Sequence, residues 1–452
     1  MRVFMLGWEF PPFISGGLGT ACYGLTKAMS SIGTDIMFVL PRPVSTPFST
    51  HVRLVSPRVG SPLASPATEF RLDEFENVTF RTVNAALSPY VTPADYKATP
   101  DLEDKEKAAL SAAGVPEAAA VALKTSAALR PPAGGKESGS PYGGDMFAEI
   151  QRYALLATEI ARGESFDVVH AHDWMTFPAG LAVAALKNVP LIVHVHSTEF
   201  DRSGIHVDQR IYDIERRGMH GAMKVIAVSY LTKNQITHQY GVDPSKVEVV
   251  YNAIEQSTNG FDEEKYSIHK DEKIVLFLGR ITMQKGPEYF LAAAKKVLEV
   301  MDNVKFVMAG SGDMIRRTIE MAASLGIGHK VLFTGFLRGG DVEKVFKMAD
   351  LYVMPSVSEP FGIAPLEAMS HDVPVIISKQ SGVSEVLTHA LKVDFWDINE
   401  MANKIIAVLK HPPLASTLRQ HGSFEVRRLH WVDAARQCVQ IYGQARAMVN
   451  GN

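Results

Sequence analysis

Twice along this chain, short apolar runs alternate with amphipathic ones, and that alternation restricts the fold more than any single residue does. The first series runs through 166–172, 174–187, 191–196, 224–228 and 246–251. The second runs through 274–278, 288–301, 305–308, 315–325, 331–334, 342–348 and 351–354, then 374–377, 384–387 and a helix near 398–410. Strand-length runs feeding helix-length ones predict parallel sheets covered by helices on both faces. The segment 255–272 is polar, charged and without a hydrophobic period, so the linker is expected there. Two further helices, about 414–429 and 431–449, follow. The expected organisation is α/β, with a first doubly wound unit over 1–255, a second over 256–430 and a terminal helix over 431–452.

The first unit opens with an apolar strand at 3–6 and a glycine-rich loop holding Gly16, Gly17 and Gly19. Leu18, Cys22, Leu25, Met29 and Ile32 then recur at helical spacing, with Gly33 as a stop. Such a turn either lets backbone and helix N–H groups approach a phosphate or simply reverses the chain. Strands are also expected at 36–40, 51–55 and 78–83, and a helix at 146–162. Between about 86 and 145 lies an irregular insertion, Ala-rich over 108–129 and composed like a mobile loop over 131–144.

The 452 residues suffice for two or three cores, and a net charge of −3 gives no nucleic-acid footprint. An anionic ligand must therefore be held by local groups. No apolar run reaches membrane-spanning length, and the first is too short for a signal-peptide core. Cys22 and Cys438 form no disulfide framework, so buried thiols in a reducing cytoplasm are expected.

Three stretches carry chemistry. In S-E-P-F-G-I-A-P-L-E-A-M, Glu359 and Glu367 are separated by seven residues, and Pro365 suits the first turn of a helix that follows the strand 351–354. That puts Glu359 in a loop at the carboxyl end of a strand and Glu367 in an opening helical turn, both at the crevice where such sheets bind ligands. In G-R-I-T-M-Q-K-G, Arg280 and Lys285 follow another strand and form a local anion site at the same edge. The third is the pair H-A-H-D-W and H-V-H-S-T-E-F, with His170, His172, Asp173, His194 and His196. Alternate strand residues share a face, so a metal-dependent hydrolase is a rival reading.

Together these stretches resemble retaining, nucleotide-sugar-dependent glycosyltransferases of the GT-B type, of family four and the related glycogen and starch synthases. The resemblance spans nearly the whole chain. It implies two Rossmann-like domains facing a cleft and a terminal helix crossing back to the first. It implies that Glu359 contacts the donor hexose, Glu367 the ribose, and Arg280 and Lys285, in R-x4-K-G, the leaving diphosphate. Phe361 and Gly362 belong to the same donor loop. Gly382 and Val383 lie in a turn similar to G-G-x-x-E, in which Ser381 replaces the first glycine. Gly16 and Gly17 match a K-x-G-G-L stretch whose lysine is replaced by Ile14, so that contact does not carry over. Asp173 and His196 match positions beside the reacting centre, Glu9 a position at the acceptor cleft, and His170 and His194 are expected as core imidazoles with satisfied N–H groups.

The expected activity moves glucose from ADP- or UDP-glucose to a glycan, foremost an α-1,4-glucan, without metal or other cofactor. The runner-up is a sucrose or small-glycoside synthase, and the non-enzymatic alternative is a sugar-nucleotide sensor.

Overall fold

The computed structural model describes residues 1–10, 16–41, 68–70, 75–83, 85, 146–255 and 272–450. The expected strand at 51–55, the helix at 108–129, the loop at 131–144 and nearly all of the 255–272 segment lie outside them.

Among these residues the chain builds two sheets. The first contains β1 (Arg2–Leu6), β2 (Asp35–Leu40), β3 (Thr68–Phe70), β4 (Val78–Thr82), β5 (Val168–His172), β6 (Leu191–Val195), β7 (Lys224–Ala227) and β8 (Val247–Val249). Their order is β3-β4-β2-β1-β5-β6-β7-β8, parallel throughout except that β3 runs antiparallel to β4 at the edge. The second contains β9 (Lys273–Leu278), β10 (Val304–Ala309), β11 (Val331–Gly335), β12 (Leu351–Met354), β13 (Val375–Ser378) and β14 (Leu391–Val393). It is parallel throughout, in the order β11-β10-β9-β12-β13-β14. Strands β5, β6, β7, β12 and β13 are buried at every residue, as sheets covered on both faces require.

The strand order reverses between β1 and β5 in the first sheet and between β9 and β12 in the second. Ligands bind outside the carboxyl ends of strands at such switch points. The loops leaving those four strands carry Glu9, Gly16, Asp173, Arg280, Lys285 and Glu359.

The terminal helix Trp431–Asn450 packs on the helix Gly17–Ser31 of the first sheet's unit. A Cβ built on Gly24 would stand 2.2 Å from the Trp431 indole nitrogen, so the two helices touch through a position where a side chain has no room. Further along, the Tyr442 hydroxyl meets His170 Nδ1 and Arg446 pairs with Asp167 at 2.9 Å. Among the described residues no helix is long and apolar enough to cross a membrane.

Candidate active site

The donor-side edge is assembled by one glycine. Gly286 has φ +65, and a Cβ there would lie 2.2 Å from the Pro355 carbonyl oxygen. Only glycine lets the helix Pro287–Leu298 start hard against the chain leaving β12. Lys285, one residue earlier, consequently reaches Glu359, and its Nζ donates to Glu359 Oε2 in an ion pair. Ser356 Oγ donates to the same carboxylate oxygen at 3.2 Å. Glu367 stands in the first turn of Ala364–Ser370, behind Pro365, and burial pushes its carboxyl up to about 7. Tyr352 lies within reach of both carboxylates: burial first, then the charges of Glu359 and Glu367, raise its hydroxyl well above the usual value. That hydroxyl donates to Leu278 O at 3.3 Å, two residues before the half-buried Arg280. The residues expected from two separate stretches thus gather around the β9/β12 switch point.

The surrounding turn braces this edge. Gly382 N donates to Glu359 O at 2.9 Å and Val383 N to Phe361 O at 2.7 Å, so both amides are spent on the donor loop itself. The Phe361 ring is buried, 6.1 Å from the Tyr251 ring. Gly362 has φ +102 and folds back on Glu359, whose Cγ would be 3.2 Å from an added Cβ.

Across from it, Glu9 is buried rather than solvated. Burial, Asp173 and Glu9 together push the Cys22 thiol up, which puts both carboxylates close to Cys22. The helix Gly17–Ser31 starts beside them, and a Cβ on Gly16 or Gly17 would meet no described atom within 4 Å. Asp173 has φ 60 and ψ 168, a conformation that costs a non-glycine residue about 1–3 kcal/mol and persists only where the surroundings impose it. What imposes it is visible: Asp173 Oδ1 accepts from His196 N at 2.7 Å and Ser197 N at 3.3 Å. Burial pushes this carboxyl up to about 7, against the pull of those amides and of Arg202. Asp173 therefore sets where the His196 backbone runs.

Register accounts for the histidines. His172 pairs with His194 between β5 and β6, and alternation then lays His170, His172, His194 and His196 on one face. Their ring centroids are 4.2 to 5.3 Å apart. His172 Nδ1 is 2.9 Å from His196 Nε2. Burial holds all four below the usual histidine range, His172 at about 3. One expectation needs correction: His194 is bonded through neither nitrogen and His170 only through Nδ1, because stacking, not hydrogen bonding, fills the space around these rings. Ligand atoms of His170, His172 and His194, and of Cys22, His172 and His196, lie within 4.8 Å of one another in each group. Two of these nitrogens, His172 Nδ1 and His196 Nε2, already engage each other.

The two edges meet across the cleft through contacts that the sequence did not show. Ser358 Oγ donates to Asp201 Oδ1 at 2.5 Å, and Ser229 Oγ donates to Pro360 O at 2.6 Å. Glu385 accepts from Tyr230 N at 2.9 Å, Leu231 N at 2.7 Å and the Tyr251 hydroxyl at 2.9 Å, covering the start of the helix Tyr230–Tyr240. Asp201 closes a capping box with Thr198, while Arg202 bridges Glu199 at 3.0 Å and Glu215 at 2.5 Å. The T-E-F-D spacing was the one signal available for this cluster.

Comparison with known proteins agrees with this arrangement. Residues 259–423 match the family model of group 1 glycosyl transferases, and residues 125–257 that of Glycosyltransferase Family 4. An uncharacterised glycosyltransferase of Methanocaldococcus jannaschii is 34% identical over 470 residues, covering 99% of this chain and 100% of its own. A glycogen synthase of Mycobacterium tuberculosis is 23% identical over 463 residues, covering 99% of this chain and 95% of its own. The solved sucrose-phosphate synthase of Thermosynechococcus elongatus shares the fold with a TM-score of 0.69 at 18% identity, over 99% of both chains.

Proposed function

Since this chain belongs to the family 4 glycosyltransferases, with a group 1 glycosyltransferase unit and the GT-B fold, we propose that it is a retaining hexosyltransferase. It takes glucose from ADP- or UDP-glucose and delivers it to a glycan, foremost an α-1,4-glucan. The observation that carries this reading is the Lys285–Glu359 pair at the β9/β12 switch point, with Glu367 beside it.

That pair suggests how the donor enters. A nucleoside diphosphate brings about two negative charges, which compete with Glu359 for Lys285. As Lys285 swings to the phosphates, with Arg280 beside it, Glu359 is left with open acceptor positions for hexose hydroxyls. Glu367 takes the ribose hydroxyls from its helical turn. Glu359 and His196 then hold the sugar as positive charge builds at its anomeric carbon, while the departing diphosphate is met by the two cations. Charge stabilisation of this kind is commonly the largest catalytic term. The acceptor arrives on the leaving-group face, past Glu9, and gives its proton to the departing phosphate oxygen, which preserves the anomeric configuration. The chemistry requires no metal, because two cations balance the leaving charge.

The test is nucleotide release from ADP-glucose, UDP-glucose and GDP-mannose, each against glycogen, maltose and fructose phosphate. Release of ADP or UDP with glycogen or maltose supports the proposal. Release with fructose phosphate alone would reassign the acceptor to a small sugar. Arg280→Ala and Lys285→Ala should each lower turnover about a hundredfold while the protein stays folded. Near wild-type turnover in either would remove its leaving-group role.

A further inference from the structure

Three buried imidazoles and a half-buried fourth, stacked in one layer, are more than a core needs. Apolar side chains would fill the same volume without four unbonded ring nitrogens, each of which costs free energy when buried without a partner. Only one contact within the layer is a hydrogen bond, His172 Nδ1 to His196 Nε2 at 2.9 Å. The ring making it is wedged. His172 stacks on His170 at 4.3 Å and on Phe38 at 6.4 Å, and His170 is in turn pinned by the Tyr442 hydroxyl from the terminal helix. His172 is wholly buried, whereas His196 is partly exposed at the cleft.

We infer that His172 is a positioning residue: its Nδ1, held by the stack of His170 and Phe38, fixes the ring of His196 so that His196 Nδ1 is the nitrogen left to meet the transferred sugar. This deepens the proposed function and rests on the placement of His196 beside the hexose. The backbone of His196 is fixed separately by Asp173, so ring and main chain have distinct anchors. Losing the ring anchor lets His196 turn about its side-chain bonds without moving β6. The damage then falls on the transition state more than on donor binding.

The experiment compares His172→Phe, which keeps a stacking ring but no nitrogen, with His172→Asn, whose amide falls near the place of Nδ1. His196→Ala and the His172→Phe/His196→Ala double variant complete the set, with kcat and KM for the nucleotide-sugar and the thermal midpoint measured for each. His172→Phe should lower kcat about tenfold, the equivalent of one lost hydrogen bond in the transition state. KM should change little, and His172→Asn should recover most of the loss. On the His196→Ala background, His172→Phe should cost nothing further. An equal loss on both backgrounds, or no recovery in a folded His172→Asn protein, overturns the inference. If His196→Ala keeps wild-type turnover, the placement of His196 at the sugar fails instead. Nitrogen-15 signals of the His196 ring then decide the anchor by itself: they should shift in His172→Phe and stay in His172→Asn, and no shift in either overturns it.

Discussion

Glu367 shows how a single carboxyl can be legible in kind and hidden in behaviour. Its spacing from Glu359 and the proline two residues before it were enough to place it in an opening helical turn, where the structure has it. What the sequence could not convey is its desolvation, which lifts the carboxyl from 4.5 to about 7. The raised value means that the fold favours the protonated form. The contribution of Glu367 to stability is therefore complete below about pH 4.5 and is lost as pH rises through about 7. Donor binding has the opposite preference, because ribose hydroxyls donate and need the carboxylate. KM for the nucleotide-sugar should accordingly rise as pH falls below about 7, and Glu367→Gln should flatten that dependence while raising KM at pH 8. A pH profile of KM unchanged by Glu367→Gln would show that this carboxyl does not meet the donor. The Lys285–Glu359 pair was equally out of reach of sequence reasoning, since 74 positions separate its members.

At the scale of elements, the strands were legible because they are buried along their whole length and punctuated by turns. β12 was expected at 351–354 and is Leu351–Met354, and β9 was expected at 274–278 and is Lys273–Leu278. The elements passed over carry few apolar residues, or few residues at all. Gln209–Gly221 buries only Ile211, Ile214, Glu215, Gly218 and Met219, so a charged residue and a glycine interrupt its apolar face. β3 and β14 have three residues each, too few to show a period. The expected run at 384–387 is a single turn, Gly382–Glu385, bound to the Glu359 loop. The terminal helix was expected from its pattern and its return to the first unit from the resemblance, but the position it seats on was not. That seat is Gly24, a mid-helix glycine that costs the helix Gly17–Ser31 about 0.5–1 kcal/mol against alanine and is kept for Trp431. Gly24→Ala should therefore destabilise the protein by about 1–3 kcal/mol despite better helix propensity, because the indole must be displaced. Urea unfolding measures it; a stabilised variant would show that the terminal helix yields without cost.

For the whole molecule, the two doubly wound sheets followed from alternation, but the way they face each other did not, since it rests on side chains with no periodicity. We take the units 1–255 and 256–430 as bodies that close on the donor, expelling water that would otherwise hydrolyse it. In the structure the carboxyl edges are already bridged, by Ser358 to Asp201 and by Glu385 to the start of the helix Tyr230–Tyr240. The Ser358 bridge lies one residue from Glu359, so it forms only when the donor loop is brought against the short helix Glu199–Ser203 that follows His196. Glu385 lies in the turn that braces Glu359, so it ties the same loop to the first unit from the other side of the Gly382 amide. If closure is a step of turnover, nucleotide should lower the radius of gyration measured by small-angle scattering. Ser358→Ala should then weaken that response and raise donor KM several-fold, because a hydroxyl's hydrogen bond to a charged carboxylate is worth about 1.5–3 kcal/mol and only part of it is lost to water. Identical scattering with and without nucleotide in the wild-type protein would mean that the bridged arrangement is permanent. The donor would then have to thread between Asp201 and Glu359 without any movement of the units.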